Sequence, residues 1–150
     1  MSAANRKRGQ RAEVAVVNYL RAQGWPDARR YLSGDGRQPG DIDWHPLICL
    51  EVKDVAASAW PTWCRQAFAE APAGTVPVVV RRERGQTDVG QWECRYWWGA
   101  WRALDRPAIQ GSYRHSVSHH MQSGTAYLSW YAVPLASFVA AVADLDLVAS

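Results

Sequence analysis

Lysine is almost missing from this chain. Of 17 basic residues only Lys7 and Lys53 are lysines, and the rest are arginines. Arginine is the better fork for phosphate oxygens. A lysine standing among acids is therefore not background. Cysteine is also scarce and odd in number: Cys49, Cys64 and Cys94 lie far apart, with no Cys-x-x-Cys. That argues against a disulfide framework or a zinc knuckle and fits a reducing compartment. There is no apolar run long enough for a membrane span, no signal-peptide core after Met1 and no internal repeat. The expectation is a soluble, intracellular protein with no membrane partner. The net charge of +3 permits binding to an anionic polymer without requiring it.

What is abundant is tryptophan, with nine residues in a chain of 150. Each has a large apolar body and one donor, so some are expected in the core and some on a stacking surface. The length suits one domain with a real core.

The periodicity predicts a helix over 5–23, with Ala12, Ala15, Val16, Tyr19 and Leu20 on one face and Arg6, Lys7, Arg8 and Arg11 along its leading edge. Gly24 and Pro26 stop it. Glu13 borders the apolar stripe, where a Glu is usually solvated or paired with arginine. The alternative is that it reaches a site across the helix–sheet packing. A strand over 28–32, entered by Arg29 and Arg30, leads to a glycine-rich loop at 33–40, whose amides are able to contact phosphate. A second helix is expected over 60–71 with Pro61 in its first turn. Trp63, Ala67 and Glu70 share one of its faces, with Gln66 close by. Val76 to Val80 has the pattern of a strand buried on both faces. Arg81, Arg82 and Arg84 then form a basic turn. Another strand is read over 92–98, continuing toward Trp101. The polar stretch 105–124 carries His115, His119 and His120. Adjacent histidines are a poor geometry for one ion, so it reads as a mobile surface loop rather than a ligand cluster. A strand over 126–133 and an apolar helix over 134–143 close the chain.

Between the loop and the second helix lies Gly40-Asp41-Ile42-Asp43-Trp44-His45-Pro46-Leu47-Ile48-Cys49-Leu50-Glu51-Val52-Lys53. It reads as two short strands around a turn at His45-Pro46. Residues two apart on a strand share a face, so Glu51 and Lys53 point one way and Val52 points into the core. The hairpin brings Asp41 or Asp43 toward them. Two carboxylates beside a lysine suit divalent-metal hydrolysis, the acids holding a hard cation and the ammonium orienting a water or stabilising charge. The plain alternative is a surface hairpin with an ordinary ion pair.

This acid, spacer and Glu-x-Lys pattern resembles the PD-(D/E)XK nuclease superfamily, and within it the Holliday junction resolvases, especially small resolvase-like nucleases of phages and archaea. The resemblance covers roughly the first ninety residues. It implies an α/β, restriction-endonuclease-like core (αβββαβ, about 5–90) with a mixed central sheet flanked by helices. Additional C-terminal strands and a helix, about 91–150, complete a single domain. Residue by residue, Glu13 resembles the first-helix glutamate that helps hold the metal, Asp41 the motif aspartate, and Glu51 and Lys53 the Glu-x-Lys half. Gln66 is similar to the second-helix glutamine that supports the site, and Ser33 to the loop serine of archaeal resolvases. The chain departs from the pattern in having glycine where proline usually precedes the aspartate. Asp43 is an extra acid. Asp41 is preferred because it follows the glycine-rich loop at the expected point.

The resemblance implies Mg²⁺- or Mn²⁺-dependent endonucleolytic hydrolysis of DNA, with a branched or four-way junction as substrate and a homodimer as the working form. Its place would be a bacterial or phage-infected host cytoplasm. Asp41, Glu51 and the Val52 carbonyl would hold the metal with Glu13, and Lys53 and Gln66 would serve the attacking water. Arg6, Lys7, Arg8, Arg11, Ser33, Arg37, Arg81, Arg82 and Arg84 would contact DNA. Rival expectations are a repair, flap or restriction-type nuclease of the same superfamily, a non-catalytic nucleic-acid-binding module, and a Trp-rich structural protein.

Overall fold

A computed structural model describes residues 2–32 and 39–149. Ser33 and Arg37 lie outside the described residues. The elements run α1 (Ala3–Ala22), β1 (Arg29–Arg30), β2 (Ile42–Asp43), β3 (Ile48–Lys53), α2 (Trp60–Glu70), β4 (Val76–Arg81), β5 (Glu93–Trp97), α3 (Trp98–Ala103), β6 (Tyr113–Met121), β7 (Gly124–Pro134) and α4 (Leu135–Ala149). The strands form one mixed sheet in the order β1-β2-β3-β4-β5-β7-β6. Only β3 and β4 run parallel, which requires the α2 crossover between them. The protein is thus α/β, with a seven-stranded mixed sheet flanked by helices on both faces.

Register decides which side chains share a face. Glu51 pairs with Val79 and Lys53 with Arg81, so these look toward α2. On that side Trp60, Trp63, Cys64 and Ala67 of α2 pack on Val79, Val117 and Trp130. Leu50 and Val52 look the other way, into a larger core with Ala12, Val16, Val17 and Leu20 of α1, Trp101 of α3 and Phe138 of α4. Each face is thus sealed by a helix whose apolar stripe recurs at three- and four-residue steps. None of the nine tryptophans is left on an exposed position. Five are buried in the packing, and Trp25, Trp44, Trp97 and Trp98 are partly buried. The three cysteines are free and buried. Among the described residues no helix is long and apolar enough to cross a membrane.

Two expectations after residue 97 are corrected. The strand does not continue to Trp101: the chain turns into α3. A helical turn puts Trp98 and Trp101 on one side, where Trp98 meets Tyr131 and Trp101 meets Tyr96 and Phe138. The Trp101 indole N–H then donates to the Pro107 carbonyl at 2.9 Å. The stretch expected as a mobile loop is largely β6, paired with β7 from Tyr113 to Met121. Its inward positions are only Val117 and His119, too few apolar side chains to announce a strand. His119 is 3% exposed and is paired inside the protein: it accepts the Trp130 indole N–H at its Nε2 (3.3 Å) and lies 4.7 Å from the Phe68 ring. Burial and then the charge of Arg65 lower its pKa, which suits the neutral, accepting imidazole.

Candidate active site

The C-terminal end of β3, the start of β2 and the first turns of α1 enclose an open cleft of about 920 Å³. Glu13, Asp41, Glu51, Val52, Lys53 and Asp54 line it, with Arg6, Arg8 and Arg30 around them. Five residues singled out from sequence alone (Glu13, Asp41, Glu51, Val52 and Lys53) therefore meet in one place.

Asp41 sits just before β2, and two backbone bonds pin it to β3. Its own N–H donates to the Leu50 carbonyl at 2.8 Å, and its Oδ2 accepts the Val52 N–H at 2.7 Å. Gly40 makes this approach possible. Its φ is +75°, and a Cβ there would lie 2.6 Å from the Leu50 carbonyl oxygen. Proline, locked near φ −65°, cannot take this conformation, so glycine at this position has a local backbone cause. Asp43 is two residues further on and points elsewhere: it pairs with Arg29 at 3.1 Å on the surface and does not line the cleft. Of the two candidate acids, Asp41 is the one beside Glu51.

The electrostatics at that point are strained. The Glu51 pKa is pushed up to about 8, first by burial, then by the charge of Asp41 and a hydrogen bond to it. Lys53 pulls it down, and Glu70 pushes it further up. Near neutral pH the Asp41–Glu51 pair therefore retains a proton. Burial also raises Glu13, offset by its 2.7 Å bond from Arg30 Nε and aggravated by Asp41. Glu13 is thus paired with an arginine and lines the cleft. Burial, with Glu51 next, takes the neighbouring Cys49 thiol up to about 12, so it is an inert neighbour rather than a nucleophile.

Other expected residues fall elsewhere. Gln66 is on the exposed side of α2 and does not line the cleft. It shares a helix stripe with Glu70, four residues on, whose charge is felt at Glu51. Arg81 is committed to the fold. Its Nη2 donates to the carbonyls of Ala56 (2.9 Å) and Val55 (3.4 Å), its guanidinium lies over the Trp63 ring, and its Nε is buried. Arg82 pairs with Asp54 at 3.4 Å. Lys7, Arg11 and Arg84 are exposed but outside the cleft. Arg30, Asp54 and Glu70 are site-region residues that sequence reading missed. Arg30 stood in a two-residue strand with no pattern of its own. Asp54 directly follows Lys53 and reads as the start of a connection.

Among the described residues no group of three or more His, Cys, Asp or Glu side chains is arranged to hold a metal ion. The donor chemistry still suits a hard divalent cation. Two half-buried carboxylates are held together despite repulsion strong enough to keep a proton, and a cation relieves that repulsion. Mg²⁺ keeps several waters and needs few protein donors. Compared with protein-family models, curated proteins and solved structures, the chain matches none.

Proposed function

We propose that this chain is a Mg²⁺- or Mn²⁺-dependent DNA endonuclease of the PD-(D/E)XK type with a restriction-endonuclease-like core, acting on branched DNA in the manner of a Holliday junction resolvase. One observation carries the reading. Asp41 and Glu51 are forced together beside Lys53, one of only two lysines in the chain, in an open cleft edged by Arg6, Arg8 and Arg30. The element order from α1 to β4 is also that of the superfamily's core.

In this reading Asp41 and Glu51 hold the cation together with the Val52 carbonyl. When bound, a divalent cation supplies charge neutralisation at the scissile phosphate and acidifies water. The chain's own residues do the rest. Lys53, on the same strand face as Glu51, orients the attacking water and stabilises charge gathering on the phosphate oxygens. Arg30 holds Glu13 toward Asp41 and so sets the field of the acid pair. Arg6 and Arg8, at the start of α1, take flanking phosphates, and their contribution weakens with salt. Gln66, exposed on α2 and outside the cleft, takes no part in this mechanism. The burial of Trp60, Trp63, Trp92, Trp101 and Trp130 weakens the case for a nuclease that stacks unpaired bases on indoles.

The test mixes purified protein with a four-way junction and with linear duplex, in Mg²⁺ and in EDTA, beside Lys53→Ala. Junction cutting that requires Mg²⁺ and falls by roughly a hundredfold or more in Lys53→Ala is expected. Full cutting by that variant, or cutting in EDTA, overturns the mechanism. Equal cutting of junction and duplex leaves a general nuclease.

A further inference from the structure

The β6–β7 hairpin outgrows the sheet. Among the described residues, strand β7 pairs with β5 from Trp130 to Pro134 and with β6 alone from Gly124 to Ser129. This part is a two-stranded ribbon beyond the edge of β5. One of its faces is anchored, with Val117 and His119 buried against Trp130 and Phe68 of α2. On the opposite face Ser116 and His120 of β6 and Thr125 and Tyr127 of β7 are exposed along the ribbon, and the exposed Arg114 stands at its base, where its partner Tyr131 is still paired with β5. The sequence has no Asp or Glu between Asp105 and Asp144. In a chain that carries 14 acids, residues 106–143 carry none, and the hairpin exposes Arg114, His120, hydroxyls and the open phenol rings of Tyr113 and Tyr127.

We infer that the open face of this ribbon docks duplex DNA at a place separate from the cleft. A two-stranded ribbon is one of the shapes that the major groove admits. Arginine and hydroxyls serve phosphate oxygens, and the absence of carboxylates removes repulsion along the whole face. The anchored face makes the arm rigid before binding, so little ordering entropy is lost. A second copy of the chain fits the free edge less well. Antiparallel pairing of β6 with itself about Val117 would set Arg114 opposite His120 and His115 opposite His119, with no acid to answer them. Three strand spacings across the sheet and seven residues along β7 separate Tyr127 from the level of Lys53, roughly 27 Å, or about eight base-pair steps. The arm thus touches DNA well away from the reacting phosphate. This inference rests on DNA being the partner of the cleft.

The experiment measures binding of the full chain to a fluorescent duplex of about 30 base pairs in EDTA, and cutting in Mg²⁺ of a long substrate and of one reaching fewer than about six base pairs from the cut. Arg114→Glu and Ser116→Glu are the arm variants, with thermal melts to verify folding. Ala140→Glu, on the exposed side of α4, repeats the single charge change of Ser116→Glu elsewhere. The arm variants should weaken long-duplex binding roughly tenfold and flatten its salt dependence while the short substrate is cut as before. Ala140→Glu should stay within about twofold of the parent. Unchanged binding by folded arm variants, or equal weakening by Ala140→Glu, overturns the arm while leaving the nuclease standing. A parent chain that neither binds nor cuts DNA overturns both.

Discussion

The Val52 N–H donates to Asp41 Oδ2 at 2.7 Å. Val52 is the residue between Glu51 and Lys53, so the strand that presents the acid and the lysine also fixes the second acid against them. The backbone of β3 and the side chain of Asp41, just before β2, are thereby held as one unit.

The acid pair makes stability depend on pH. The Glu51 pKa is raised from 4.5 to about 8, so the folded state holds a proton that the unfolded state releases. Stability contributed here therefore falls as pH rises from about 4.5 to about 8. Glu51→Gln should raise the melting temperature by several degrees at pH 9 in EDTA, roughly 2–4 kcal/mol at most, with little change at pH 4. Mg²⁺ should stabilise the parent more at pH 9 than at pH 6 and should not stabilise the variant. A melting curve series across pH with and without Mg²⁺ reads all of this.

A proline at position 40 should harm this chain. Gly40→Pro cannot adopt φ +75°, and Gly40→Ala puts its Cβ against the Leu50 carbonyl. Both should lose about 2 kcal/mol or more in denaturant unfolding. Cleavage by the fraction that remains folded should also drop, because the Asp41 N–H to Leu50 bond cannot form as it does now. Wild-type activity in Gly40→Pro would show that Asp41 is not positioned this way.

The two aspartates should separate cleanly. Asp41→Asn should abolish Mg²⁺-dependent cutting, and Asp43→Asn should leave it near the parent level. The loss in the second variant is confined to an exposed ion pair with Arg29, worth about 0–1 kcal/mol. Steady-state cleavage of one substrate by both variants is the measurement.

His119 should give the hairpin an acid limit. Its folded pKa lies below 6.5, so its contribution is present above that value and is lost as pH falls through the lowered one. Protonated Nε2 can no longer accept the Trp130 indole. Trp130 fluorescence, isolated by comparison with Trp130→Phe, should report opening of β6 from α2 on mild acidification. His119→Leu should lose that acid transition. It should also lose about 1–3 kcal/mol at neutral pH, since the buried indole N–H is left without its acceptor.

Much of the site was legible in sequence because it depends on local rules. Strand alternation alone places Glu51 and Lys53 on one face with Val52 behind them, and the structure has that arrangement. The scarcity of lysine marked Lys53, and helix periodicity placed Glu13 at the border of the α1 stripe. Elements α1, β3, α2 and β4 each carry enough apolar side chains in one period to declare themselves.

What remained needed the tertiary structure. Asp41 and Asp43 are equivalent by alternation, and only the bonds from Gly40-Asp41 to β3 separate them. Arg30 meets Glu13 because β1 passes α1, a contact across 17 positions in the chain. Arg81, alike in sequence to any basic turn residue, was claimed by the carbonyls of Val55 and Ala56 and the face of Trp63. Strand β6 was hidden because half of its burial is a histidine, whose place in a core exists only where an indole N–H supplies the partner. The sequence by itself determined which chemical groups share a strand face. The fold decided which of them lose water together, and burial beside a second charge is what turns an ordinary carboxylate into one that titrates near 8.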